Sequence, residues 1–202
     1  LMALSNYTEL QAAIANWLNR TDLTSEIQDF IRLAEARFNR EVRNHEQIVR
    51  KTAQSSAQYV ALPTDWAGAY NLQVGTQKLT YITPERADDY RNAKITGPVR
   101  YYTIIGRSIE LLPSPTSDVT VEMAYYAEIP SLSDSNPTNW LLQKAPDIYY
   151  YGALCHAAPF LNDDQRLVTL ASLTTTAIAA LNDESEANSH SGSTLIARRR
   201  LA

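Results

Sequence analysis

The chain has 202 residues, 45% of them hydrophobic and 20% charged, and carries a net charge of −4. That is the composition of a folded globular protein of one large domain or two small ones, and its acidic balance argues against a general affinity for nucleic acid. A single cysteine, Cys155, excludes an internal disulfide framework and a cysteine-built zinc site.

The N-terminus lacks the basic-then-apolar pattern of a secretory leader, so a soluble, intracellular life during folding is the expectation. Residues 7–19 then predict an amphipathic helix. Leu10, Ile14, Trp17 and Leu18 share one face, and Thr8 with Gln11 forms a possible capping box. After a turn at Asn19–Asp22, Thr24 or Ser25 is expected to cap a longer helix that runs to about Arg43. Its apolar positions are Ile27, Phe30, Ile31, Ala34, Phe38 and Val42. The outer face is expected to carry Glu26, Asp29, Arg32, Glu35, Arg37, Arg40 and Glu41. Arg37 with Glu41, and Asp29 with Arg32, stand at helical pairing distance. On a solvated face such pairs contribute about 0.3 kcal/mol each, and a ring interface would use the same residues.

After His45 the apolar period changes from helical to alternating. Strands are expected at residues 58–62, 70–74, 78–82, 99–105, 108–112 and 119–126, with one or two helical turns at residues 84–90. Gly106-Arg107 reads as a hairpin turn in which the glycine takes positive φ. These segments form a small, mostly antiparallel β-domain. Residues 130–139 are a polar loop. A short apolar turn at Trp140–Leu142 ends at Ala145-Pro146, and Pro146 suits the first turn of a new helix. From Ile148 to Ala158 almost every position is apolar or aromatic, so that helix is expected to be buried on most faces. Eleven residues are too few for a bilayer, which needs about 20. Pro159 bends or ends the helix. Asn162 and Gln165 then suggest a capping box for a last helix, whose stripe is Leu167, Leu170, Ala171, Thr174, Ile178 and Leu181. The pattern fails after Leu181, and the tail is small and polar with a basic end.

The fold class is therefore α+β: two N-terminal and two to three C-terminal helices, with the β-domain inserted. The expected division is 1–44 with 129–187 for the helical domain, 45–128 for the β-domain and 188–202 for an extended C-terminal arm. In the arm, Leu195, Ile196 and Leu201 beside Arg198, Arg199 and Arg200 suit a segment that orders on a partner, although a frayed terminus fits the same residues.

Catalytic motifs are absent: there is no GxSxG, P-loop, HExxH or dinucleotide fingerprint. His45, His156 and His190 fall on unlike elements, which argues against a tri-histidine metal site. His156 suits a core or interface histidine, and Asp163 and Asp164 suit a helix N-terminus. Glu35, Asp88, Asp89 and Glu122 offer carboxylates, but no spacing marks a hydrolase pair. Tyrosines such as Tyr101, Tyr102, Tyr125 and Tyr126 could stack sugars; more often they fill interfaces. No cofactor and no metal are expected.

Several runs are more specific: LAEARFNREVR at Leu33–Arg43, LPTDW at Leu62–Trp66, GPVRYYTIIGRSIELLPSP at Gly97–Pro115, and the stretch from Ala124 to Arg166 with its Asn-Trp-Leu-Leu, Ala-Pro-Asp and Ala-Pro-Phe-Leu elements. Together, over about Tyr7 to Asn182, these runs resemble the adaptor, or head-to-tail connector, proteins of tailed bacteriophages, especially the short-tailed type. The resemblance implies a structural virion protein of the capsid–tail junction, made in the host cytoplasm and without enzyme activity. It implies a ring, usually of twelve copies, beneath the portal protein, contacting a tail hub or nozzle protein below. Genomic DNA would pass through the channel without sequence-specific binding, and no membrane is involved. The arm residues named above would run onto the portal. Trp140, Tyr149, Tyr150, Tyr151, Arg37 and Glu41 are the candidates for contacts between subunits. The competing expectation is a cell-wall glycan hydrolase with an aromatic cleft in the β-domain.

Overall fold

The computed structural model describes residues 4–160 and 164–190. Its first helix, α1 (Tyr7–Leu18), buries Tyr7, Leu10, Ile14 and Leu18 at spacings of three and four. The cap is set earlier than Thr8. Asn6 accepts the Glu9 N–H at 2.9 Å, and the Glu9 carboxylate accepts the Ser5 N–H and hydroxyl at 2.9 and 2.7 Å. Asn6 and Glu9 stand at the same three-residue spacing as Thr8 and Gln11, and asparagine is the stronger cap. Asn19 closes the helix in the left-handed conformation, φ 51°.

The second helix, α2 (Thr24–Glu41), follows the predicted stripe. Its cap position is Leu23, which makes no side-chain cap bond and is instead buried with the core. The C-terminal half of the chain supplies α4 (Trp140–Lys144), α5 (Pro146–Phe160) and α6 (Asp164–His190). Pro146 opens α5 as expected, and Asn139 caps α4 by accepting the Leu142 N–H at 2.9 Å. Pro159 is accommodated one residue before α5 ends. The expected capping pair Asn162 and Gln165 lies outside the described residues and side chains. α5 is the centre of one apolar cluster shared with α1, α2, α4 and α6. Gly152 lets α2 come close: a Cβ built there would lie 2.5 Å from Phe38 Cζ.

α6 runs past Leu181, where its apolar pattern stops, because its polar residues hold the end of α2. Asn182 accepts the Arg43 N–H at 2.8 Å and donates to the Glu41 carbonyl at 3.0 Å. Three residues on, buried Ser185 accepts the His45 N–H at 2.8 Å. The Glu41 carbonyl is one of the groups that a helix end leaves without a partner, and the other two contacts hold the chain as it leaves α2.

The chain divides into two compact units, one made of residues up to Glu46 with those from Ile129, the other Gln47–Glu128. The second unit holds two four-stranded sheets. With strands β1 (Ile48–Ser55), β2 (Tyr59–Ala61), β3 (Trp66–Val74), β4 (Gln77–Lys78), β5 (Thr80–Tyr81), β6 (Tyr101–Ile105), β7 (Ser108–Leu112) and β8 (Val119–Ala127), the orders are β1-β8-β3-β4 and β2-β7-β6-β5. All pairings are antiparallel except β5 with β6. Leu72, Ile109, Leu111, Val121, Met123 and Tyr125 fill the core of this unit. Helix α3 (Pro84–Asn92) sets Ala87 and Tyr90 against Ile82, Leu112 and Tyr101. Gly106 takes φ 59° in the β6–β7 turn, as the sequence required. Sequence reading overlooked β1: IVRKTAQS places charges and small residues in succession, yet it pairs with β8 from Ile48↔Tyr126 to Ser55↔Val119. The α+β class, with strands between two helical segments, is the one the sequence predicts.

Candidate assembly interface

A buried polar node organises the helical unit. Glu35 was expected on the outer face of α2; it is 4% exposed instead. Its Oε1 accepts the Leu132 N–H at 2.7 Å and the Tyr149 hydroxyl at 3.1 Å. Asn139 donates to the Tyr149 hydroxyl at 2.6 Å and to the Pro130 carbonyl at 2.7 Å. The node fastens the loop 129–139 onto α2 and α5. Burial raises the Glu35 pKa against the opposing hydrogen bonds, and burial, with the nearby Glu35 charge, raises that of the Tyr149 phenol. Tyr149 is fully buried, and its ring meets Phe38 edge-on at 5.1 Å. Its side chain is therefore spent inside the subunit, which corrects its place among the candidates for contacts between subunits.

The remaining candidates lie nearer the surface. Trp140, Tyr150 and Tyr151 are half-buried, each with part of its side chain on the core. The expected Arg37–Glu41 pair forms, with Arg37 Nε 3.0 and 2.9 Å from the two carboxylate oxygens. Arg37 also donates to Thr175 Oγ1 at 3.0 Å, so it ties α2 to α6 within the subunit. Asp29 and Arg32 pair at 3.4 Å. His156 is half-buried, and burial, aided by the charges of Arg37 and Arg40, lowers its pKa. Cys155 is buried, its Sγ 3.5 Å from Thr174 Oγ1. The arm residues Leu195, Ile196, Arg198, Arg199, Arg200 and Leu201 lie outside the described residues.

Sequence reading picked out the buried stripe of α6 and passed over its opposite face. From Leu167 to Asn182 the sequence carries no charged residue. The outward positions include Val168, 72% exposed, and Leu173, 42% exposed, with Thr169, Ser172, Thr176, Ala179 and Ala180 around them. A solvated helix face ordinarily carries charge. The signal was the missing charge, read against the strict apolar stripe beside it.

Three of the four carboxylates considered for hydrolysis are engaged elsewhere. Glu35 belongs to the buried node. Glu122, on β8, accepts from Arg50 at 2.6 Å and Gln73 at 2.9 Å. Asp88 pairs with Arg91. Among the described residues no group of His, Cys, Asp and Glu has the arrangement of a metal site, and no helix is long and apolar enough to cross a membrane.

The family model of the SU10 adaptor protein matches residues 5–198, nearly the whole chain, and the chain belongs to that family. No curated protein matches it. The family is one of structural phage adaptors rather than enzymes.

Proposed function

We propose that this phage adaptor, as a member of the SU10 adaptor family, assembles into a ring between the portal protein of the capsid and the tail, with twelve copies as the expected number. The ring encloses the passage through which genomic DNA leaves, and a tail hub or nozzle protein docks below it. The observation that carries this reading is the charge-free outer face of α6. Burying Val168 and Leu173 against a neighbouring copy would contribute roughly 1.5–3 kcal/mol for each side chain fully covered. The threonines and alanines between them allow close approach of another helix. Trp140, Tyr150 and Tyr151 would widen the contact, and Arg37 and Glu41 lie at its polar margin. Acidic and basic residues balance between Gln47 and Glu128, so the net charge of −4 sits in the rest of the chain. An acidic ring wall suits a channel that must let DNA slide.

The arm completes the proposal. Leu195, Ile196 and Leu201 would be buried on the portal, and Arg198, Arg199 and Arg200 would bind portal carboxylates through paired hydrogen bonds. Many arms presented by one ring raise the avidity steeply. The test is electron microscopy of the protein mixed with portal-bearing capsids, using the full chain and a chain truncated after Ser189. The full chain should appear as a ring on the portal vertex, and the truncated chain should keep its melting temperature but lose attachment. Equal attachment of both would overturn the arm's role. A protein that stays monomeric at the portal would overturn the ring.

A further inference from the structure

Three depressions on the β-unit, of about 380, 310 and 180 Å³, share lining residues and so adjoin one another as one grooved stretch of surface. The first and second share Gly97, Pro98 and Arg100, and the second and third share Tyr90, Ile95 and Pro113. No Asp or Glu lines any of the three, although the chain as a whole is acidic. Three cations do line them: Arg91, Lys94 and Arg100. Arg91 is neutralised, paired with Asp88 and lying 3.5 Å from the buried Glu110 carboxylate. Lys94 and Arg100 make no ion pair among the described residues. Lys94 is held at φ 49° at the end of α3, next to Ile95, which is 46% exposed.

We propose that this groove docks an extended acidic segment of a partner protein, with Lys94 and Arg100 meeting its carboxylates and the proline and tyrosine walls meeting its backbone. The inference goes beyond the adaptor reading and stands whether or not the chain forms a ring. Charge complementarity selects the occupant: two cations that make no ion pair, in walls lined by no Asp or Glu, favour an anion, and the apolar walls favour one carried on a polypeptide. Proline and aromatic walls are suited to a chain in the polyproline II conformation, which loses little entropy on docking. A nucleic-acid strand fits less well. Its affinity grows with the number of phosphates neutralised, and only two free cations are offered here. Base stacking needs open aromatic faces, whereas Tyr90 and Tyr101 pack on each other with ring centroids 5.0 Å apart.

The experiment is fluorescence anisotropy of the full-length protein with a labelled peptide of alternating glutamate and proline, about eight residues long, which spans roughly 25 Å in polyproline II geometry. A mixed-sequence single-stranded DNA of similar length is the second probe. The double variant Lys94→Asn with Arg100→Gln removes both charges, and asparagine tolerates the left-handed backbone at residue 94. Arg32→Gln with Arg40→Gln removes the same net charge from the helical unit. The peptide should bind saturably, the groove variant should weaken it at least about tenfold, and the control should leave it unchanged. If the double variant does not fold, Arg100→Gln alone carries the comparison. No saturable binding of the peptide, an equal loss in the control, or groove-dependent binding of the DNA alone would overturn the proposal.

Discussion

Gly152→Ala sets two effects of opposite sign against each other. On an exposed helix the change would stabilise by about 1 kcal/mol, because alanine loses less backbone entropy. At this site the new methyl carbon would fall 2.5 Å from Phe38 Cζ and 2.8 Å from Phe38 Cε1. Real carbon–carbon contacts do not approach so closely, so either the ring or the helix must shift. The ring has little freedom: Phe38 is fully buried and also packs on Tyr149, which is fixed in turn by Glu35 and Asn139. Overpacking of this kind costs about 1–3 kcal/mol. The net expectation is a loss of up to about 2 kcal/mol, read as a lower urea midpoint at unchanged slope. Adding Phe38→Leu removes the ring tip and should make the glycine substitution less costly in the double variant than in the wild type, a coupling that a double-mutant cycle measures. A Gly152→Ala variant more stable than the wild type would refute the claim that α2 and α5 meet at this glycine.

The buried carboxylate gives a pH signature. Because burial raises the Glu35 pKa above its ordinary 4.5, its contribution to stability is full below that pH and is lost as pH rises through the folded-state value. Glu35→Gln should therefore lose less stability than the wild type between pH 5 and pH 7, on the order of the same principle's linkage slope, and equilibrium urea unfolding at the two pH values checks this. Glu35→Ala should destabilise at both, since the Leu132 N–H and the Tyr149 O–H donor lose their acceptor at about 1–3 kcal/mol each. Asn182→Ala removes two hydrogen bonds from the end of α2 and should lower stability by about 1–3 kcal/mol in the same assay. Val168→Lys with Leu173→Glu changes exposed positions, so the subunit's melting temperature should barely move while sedimentation shows the ring replaced by small species. A ring that survives those charges would show that copies do not meet on this face of α6.

What could be read from the sequence divides by the range of the interaction responsible. The helices of the first unit were legible because spacing is local: Leu10, Ile14 and Leu18 on α1, and Ile27, Ile31, Ala34 and Phe38 on α2, mark a buried face without reference to any other segment. Pro146 at the start of α5 and Gly106 in the β6–β7 turn were legible for the same reason, since each answers a demand of its own backbone. Glu35 was misplaced because its charge outweighed its position. It stands four residues after Ile31, on the buried side, and its main partner is a backbone N–H at Leu132, which no local pattern connects to α2. Tyr149 was misassigned with it, since a tyrosine that serves a buried carboxylate reads in sequence like one that serves an interface. β1 escaped for the reverse reason. Its eight residues are shaped by pairing with β8 along one edge while the other edge stays free, so Arg50, Lys51 and Thr52 are tolerated where alternation was sought. The outer face of α6 stands between these cases. Its lack of charge from Leu167 to Asn182 is plain in the sequence, but that absence acquires meaning only when Val168 and Leu173 prove to be exposed on the subunit. An uncharged stretch with both faces covered inside one chain is core. The same stretch with one face bare is what the proposed contact between copies requires, and exposure is what separates the two.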